Sequence, residues 1–349
     1  MERVILPLLL VAGMGAASAW QSSPPLPADL QMQAVLNELA TLRGAPIESL
    51  TLAEARRQPT PADAVASLLK KRGKTTGPVA VGKVMDRTIP GAGGPIAIRV
   101  YTPTGQGPFP VLLYIHGGGW VMASLDTYDA SARALTNAVQ AVVVSTHYRQ
   151  APEHKFPAAQ EDTFATYRWT LENAASMGGD PMRVAVAGES AGGNLAAGIA
   201  IRARDENVRP PLHQLLVYPV ADASMTTPSY QQHAAANPLS KAMTAWFFKH
   251  VLPQPKDGDD ARIALLGGTA NLSGLAPATI INAEVDPLRS EGEMFAEQLR
   301  KAGVSVRQRT FAGVTHEFFG MGAIVDTANL AVAFAAEGLK KSLGAVPTQ

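Results

Sequence analysis

The sequence predicts an α/β protein in which a mostly parallel central sheet is covered by helices on both faces. Three observations predict it. Short apolar or β-branched runs alternate with longer helical stretches over most of the chain, as they do where parallel strands are joined by crossover helices. One strand-to-helix junction, between residues 183–187 and 193–200, is made by Gly188-Glu189-Ser190-Ala191-Gly192. A second strand, residues 110–115, runs straight into His116-Gly117-Gly118-Gly119-Trp120.

The N-terminus carries an address. Met1-Glu2-Arg3 precedes the apolar residues 4–12, and Ala17-Ser18-Ala19 supplies small residues before Trp20, so residues 1–19 are expected to be a signal peptide sending the protein to the periplasm or outside the cell. The apolar run is shorter than the roughly 20 residues a spanning helix needs, so no membrane span is expected after signal removal. There is no Cys, so disulfides contribute nothing and an oxidising compartment does no harm.

Residues 20–75 are assigned to a linker, residues 21–27, and to N-terminal helices. Met32, Val35, Leu36 and Leu39 fall on one helical stripe, and Thr51-Leu52-Ala53-Glu54 has the form of a capping box. Thr60-Pro61 opens a further helix with Val65, Leu68 and Leu69 on its apolar side.

Residues 76–349 carry the alternation. Strands are expected at 96–101, 110–115, 141–145, 183–187, 215–218, 278–283 and 304–311, and helices at 157–173, 193–200, 291–303 and 328–343. An insertion around residues 223–255 holds Trp246, Phe247, Phe248 and Val251 on an aromatic-rich helix. With 349 residues, 46% of them hydrophobic, the chain can bury the core of one large domain plus an appendage. Thirty basic and 29 acidic residues nearly cancel, which gives no reason to expect nucleic acid or an anionic membrane as partner. No metal-ligand cluster or phosphate loop is visible, so no metal and no cofactor are expected.

The strand–Gly-x-Ser-x-Gly–helix junction is where a serine can become a nucleophile. Its hydroxyl reacts only when a sharp turn thrusts it out beside a base and at a helix start, and flanking glycines permit that turn. Ser190 is therefore the candidate nucleophile. The glycines after His116 let the chain fold back with amide N–H groups facing a cleft, where they can hold an oxyanion. Which of the amides of Gly117, Gly118 and Gly119 turn inward is left open by the sequence.

A base and an orienting carboxylate should follow the serine in chain order. Asp286, in the loop 284–288 at the end of a strand, is the candidate acid; it also suits an N-cap for the next helix, and Glu284 competes with it. His316, in the loop 312–318, is the candidate base. The other histidines, His116, His147, His154, His213, His233 and His250, are expected to be surface or locally hydrogen-bonded imidazoles.

The chain resembles the hormone-sensitive-lipase-like carboxylesterases, the bacterial family IV esterases of the α/β-hydrolase fold. The resemblance rests on His116 to Trp120, Tyr148-Arg149-Gln150-Ala151-Pro152-Glu153, Gly188 to Gly193, Asp286-Pro287-Leu288, and His316 with Phe318. It implies a serine esterase acting on small-molecule esters of short to medium acyl chain, with the triad Ser190, Asp286 and His316 and an oxyanion hole from Gly117, Gly118, Gly119 and Ala191. It implies a structural brace for the Tyr148–Glu153 block and a cap role for the N-terminal helices; a homodimer is left open. Amidase, thioesterase or lactonase activity would use the same triad, and a non-catalytic binding protein on this fold would lack the histidine that His316 supplies. Three departures from the family's pattern stand out: Glu189 where Asp or a small residue is usual, Gln150 for a common leucine, and Ser290 where an acid often follows Asp-Pro-Leu.

Overall fold

The most apolar stretches of the chain lie side by side. The computed structural model describes residues 28–42, 45–268 and 270–344, so the expected signal peptide and the 21–27 linker lie outside the described residues. Eight strands form one sheet: β1 Lys83–Ile89, β2 Ile96–Thr102, β3 Phe109–Ile115, β4 Val142–His147, β5 Gly179–Glu189, β6 Gln214–Val217, β7 Ala278–Val285 and β8 Val306–Thr315. Their order is β1-β2-β4-β3-β5-β6-β7-β8. β1, β2 and β4 pair antiparallel, and every pair from β4 to β8 is parallel.

The helices are α1 Leu30–Leu42, α2 Leu52–Ala55, α3 Pro61–Lys71, α4 Asp129–Val139, α5 Ala158–Asn173, α6 Ala191–Asp205, α7 Pro228–Gln232, α8 Lys241–Val251, α9 Arg289–Lys301 and α10 Asp326–Leu343. They cover both faces, and the strand pleat divides the core accordingly. Val111, Leu113 and Ile115 of β3 face the layer containing Phe164, Leu195, Ile199, Phe295 and Phe247, from α5, α6, α9 and α8. Leu112 and Tyr114, one residue out of phase, face Met32, Leu135 and Leu339, from α1, α4 and α10. A strand buried on both sides favours apolar residues throughout, which is why β3 reads as an unbroken run and β4 opens on Val142, Val143 and Val144 before Ser145 and Thr146.

The N-terminal helices start where the sequence signals them. Thr51 with Glu54 and Thr60 with Asp63 each form a complete capping box, and Pro61 takes the first helical position, where its missing N–H costs nothing. α1 and α3 are joined through the Glu38 carboxylate, which accepts from Ser67 at 2.5 Å and from Lys71 at 2.6 Å.

Two boundaries are corrected. The strands expected to end at 283 and 311 continue to Val285 and Thr315, past a bulge, with Val285 opposite Thr315. Glu284 makes this extension possible: its carboxylate accepts the N–H of Gly313 at 2.9 Å and pins the two strand ends together. β1 and α4 had no counterpart in the sequence reading. β1 is a largely exposed edge strand with one buried residue, Ile89, and so lacks a clear apolar pattern.

Candidate active site

The carboxyl ends of β3, β5, β7 and β8 meet at one edge of the sheet, and each delivers part of the site. β5 ends at Glu189, α6 begins at Ala191, and Ser190 alone makes the turn at φ 56, ψ −120. That backbone conformation is strained for a side-chain-bearing residue, by on the order of 1–3 kcal/mol. The surroundings over-determine it: the Ser190 N–H donates to Val217 O at 2.9 Å, and its carbonyl accepts from Gly193, Asn194 and Val220. Glycine is required at 192, where a Cβ would stand 2.1 Å from the Ile115 carbonyl oxygen of the neighbouring strand.

Three groups from distant parts of the chain converge at this turn. His316 Nε2 lies 2.9 Å from Ser190 Oγ, and His316 Nδ1 lies 2.7 Å from Asp286 Oδ2. Asp286 is held in turn by the Leu288 N–H, which donates to Oδ1 at 2.9 Å. The carboxylate thus makes both the turn contact expected of a cap and the contact to the imidazole. All three side chains are buried; Asp286 is fully so.

The glycine loop after β3 lies against the serine. A Cβ at Gly117 would come within 2.3 Å of the Tyr128 hydroxyl and 3.1 Å of Ser190 Cβ, so only glycine lets the chain pass. Gly118 and Gly119 have φ of 89 and 59. Among the described residues no backbone acceptor is paired with the N–H of Gly118, Gly119 or Ala191, whereas the Gly118 carbonyl is occupied by Val121 and Met122. Tyr148 braces the loop from behind by donating to the carbonyls of His116 and Gly117, and Gln150 donates to those of Met122 and Ala123. Arg149 of the same block is tied to Asp162, so the segment acts as a strut.

A cleft opens above Ser190 and His316. Its walls are the glycine loop and Trp120 on one side, Met243, Phe247 and Phe248 of α8 on another, and Ile47, Arg56 and Pro61 of the N-terminal region across the mouth. Such an arrangement presents a nucleophile, a base and free amides to a small, largely apolar ligand.

Comparison with known proteins gives the same picture. Residues 112–320 match a family described by the α/β-hydrolase fold. The carboxylesterase NlhH of Mycobacterium tuberculosis is 43% identical over 253 residues, 72% of this chain and 79% of that protein. Ethyl acetate hydrolase of Pseudomonas putida is 35% identical over 303 residues, 85% of this chain and 92% of the relative. The structure of a hyperthermophilic esterase from the archaeon Pyrobaculum calidifontis superposes with a TM-score of 0.81 at 36% identity, covering 91% of this chain and 99% of that one. This chain belongs to the hormone-sensitive-lipase-like carboxylesterase family.

Beyond Asp286, the electrostatics around His316 are set by Glu189, which stands out in the sequence only as a departure from the family's pattern, and by Glu317, which the sequence reading does not single out. Glu189, next to the serine, points inward and is fully buried, accepting from the hydroxyls of Tyr114 (2.5 Å) and Tyr218. Burial and the charge of Glu317 push its carboxyl up to about 7, against the pull of those hydroxyls. The Tyr218 ring packs 4.5 Å from the imidazole of His316. Glu317 lines the cleft, its Oε1 accepting from Tyr128 at 2.5 Å and lying 3.9 Å from His316 Nε2. For His316 itself burial lowers the pKa, but Asp286, Glu317 and Glu189 together outweigh it and raise it above its ordinary value.

The remaining histidines lie apart from this chemistry or behind it. His116 is buried, stacked on Tyr148 and bonded to His147, and burial drives its pKa down to about 3. His213 is held between the hydroxyls of Ser342 and Thr279. Ser290, at the position where an acid is common, exchanges hydrogen bonds with Ser229 and locks the Asp286 loop to α7. Among the described residues no group of three or more His, Asp or Glu is placed to hold a metal ion, and no helix is long and apolar enough to cross a membrane. Glu317 and Glu189 had one usable signal in the sequence: each is a carboxylate adjacent to a candidate catalytic residue. Their phenolic partners, from β3 and the segments before α4 and after β6, had none.

Proposed function

We propose that this chain is a serine carboxylesterase that hydrolyses short to medium acyl esters through an acyl-enzyme. Ser190 is the nucleophile, His316 the base and then the acid, and Asp286 the carboxylate that orients it; the amides of Gly118, Gly119 and Ala191 hold the oxyanion, with Gly117 shaping their loop. The observation that carries this reading is the unbroken contact chain Ser190–His316–Asp286 beside three amides with no backbone acceptor.

Ser190 Oγ attacks the ester carbonyl carbon as its proton passes to His316 Nε2, and the carbonyl oxygen becomes the oxyanion. The tetrahedral intermediate collapses, the C–O bond to the alcohol breaks, and the leaving oxygen takes the proton from Nε2. Water then attacks the acyl carbon while His316 accepts its proton; the second collapse returns that proton to Ser190 Oγ and frees the carboxylic acid. Asp286 keeps the imidazole in the tautomer with Nδ1–H and offsets the charge it carries at each transition state.

The acyl range is supported by the cleft walls, where Trp120, Phe247 and Phe248 leave room for a small soluble ester rather than a lipid surface. The ethyl acetate hydrolase relative supports the short end of the range. The N-terminal residues 1–19 support export to the periplasm or beyond, which cell fractionation with N-terminal sequencing of the mature chain tests: a start at Trp20 is expected, and a cytoplasmic protein retaining Met1 contradicts it.

A series of 4-nitrophenyl esters compared with matched anilides tests the activity. Turnover is expected to peak among short chains and to fall by laurate, with anilides slower by about a hundredfold or more. Anilides cleaved as readily as esters assign the triad to an amidase instead.

A further inference from the structure

Glu317 stands where a glycine would be easiest. Its backbone is left-handed, at φ 70 and ψ 3, a conformation that costs a side-chain-bearing residue energy and persists where the surroundings hold it. The side chain turns into the cleft, about one fifth exposed, and the buried Tyr128 hydroxyl anchors it at 2.5 Å. Its Oε1 is thereby fixed 3.9 Å from His316 Nε2, the nitrogen that faces Ser190.

We propose that Glu317 is a positioning residue for the hydrolytic reaction: tethered by Tyr128, its carboxylate stabilises the His316 imidazolium from the Nε2 side while Asp286 does so from the Nδ1 side. This rests on the serine-esterase reading and deepens it. The imidazolium forms in both half-reactions, so a fixed negative charge beside it lowers both barriers, and with His316 buried and Glu317 only one fifth exposed, water screens that charge less than at an open surface.

The groups facing His316 come from every side. Asp286 approaches from the loop after β7 and Ser190 from the elbow, while Tyr218 covers one ring face with Glu189 behind it. Tyr128 reaches in from the segment before α4, with Tyr114 on β3 and Tyr148 beyond it. The nearby His116 is kept neutral by burial, and Arg56, the guanidinium lining the cleft, is engaged by Glu153 and by the carbonyls of Val121 and Ala151. Carboxylates and phenols therefore surround the imidazole, and among the carboxylates of the described residues Glu317 is the one near Nε2.

Glu317→Gln separates charge from shape, because the amide oxygen still accepts from Tyr128. The readout is the pH profile of kcat/KM with 4-nitrophenyl acetate, whose acid limb reports the His316 pKa in the free enzyme. The variant is expected to lose about tenfold on the plateau and to shift its acid limb down by roughly half to one pH unit, with Glu317→Asp in between. Tyr128→Phe, which keeps the charge but releases the tether, is expected to shift the limb in the same direction by less, and it stands in if Glu317→Gln fails to fold. An acid limb that stays at the wild-type position overturns the proposal, whether the plateau falls, as for a merely structural contact, or holds. Labelling of wild-type Ser190 by a fluorophosphonate keeps the two readings separable: an unmoved limb with intact labelling sinks only the role of Glu317, whereas absent labelling sinks the esterase reading itself.

Discussion

Asp286 has both oxygens committed, one to the His316 ring and one to the Leu288 N–H, so replacing it tests geometry and charge together. In Asp286→Asn an amide must present its NH2 to one of two donors, which favours the wrong imidazole tautomer. Turnover is expected to fall by about a thousand- to ten-thousandfold with the fold retained, as a pH-resolved kcat measurement would show. A second expectation follows from the raised pKa of His316, since only the neutral ring accepts the serine proton. Activity therefore falls as pH drops through that raised value; a rate flat down to about pH 4 contradicts a histidine base. That these three residues meet could be read from the sequence because a serine nucleophile needs a base and a carboxylate, and the fold sets the order in which they follow it. The carboxylates beside them were less legible. Glu189 stands out in the sequence only as a departure from the family's pattern and Glu317 is not singled out, and a phenol from β3 leaves no mark in the sequence near β5.

At the scale of elements, the N-terminal helices are fastened to the site by one side chain. Arg56, at the end of α2, donates to Val121 O at 2.9 Å, to Ala151 O at 2.8 Å and to both oxygens of Glu153 at 2.8 Å. Val121 belongs to the segment that follows the glycine loop, so this contact links the N-terminal helices to that loop. Arg56→Ala strips two inward carbonyls of a partner and is expected to cost about 1–3 kcal/mol, visible as a lower thermal midpoint, with a raised KM for esters. Arg56→Lys should recover little, because a single ammonium cannot reproduce the fork; full recovery would show that charge alone matters. The parallel strands and the capped helices were readable from apolar runs and from capping residues. β1 was not, because an exposed edge strand has no face to hide, and the ends of β7 and β8 were misplaced because the Glu284–Gly313 bond that extends them joins residues 29 apart in the chain.

For the molecule as a whole, buried acids link stability to pH. Glu291 is fully buried, accepting from the N–H groups of Ala221 and Asp222, and burial pushes its pKa up to about 8; Glu189 is pushed up to about 7. Both values are raised above the ordinary 4.5, so the folded state prefers the protonated forms. Their contribution is complete below about 4.5 and is lost as pH rises through about 7 and 8. Glu291→Gln keeps the two backbone bonds and cannot ionise, so its thermal midpoint is expected to gain on the wild type by a few degrees between about pH 4.5 and about pH 8. A difference that stays constant over that range contradicts the assignment. The central claim, that one hydroxyl is made nucleophilic by an imidazole and a carboxylate gathered from the ends of three strands, is tested most directly by treating the protein with a fluorophosphonate and mapping the adduct by mass spectrometry. A single adduct on Ser190, formed in step with loss of ester hydrolysis and absent from both Ser190→Ala and His316→Ala, is the predicted result. An active enzyme that carries no adduct, or carries it on another residue, would contradict the account.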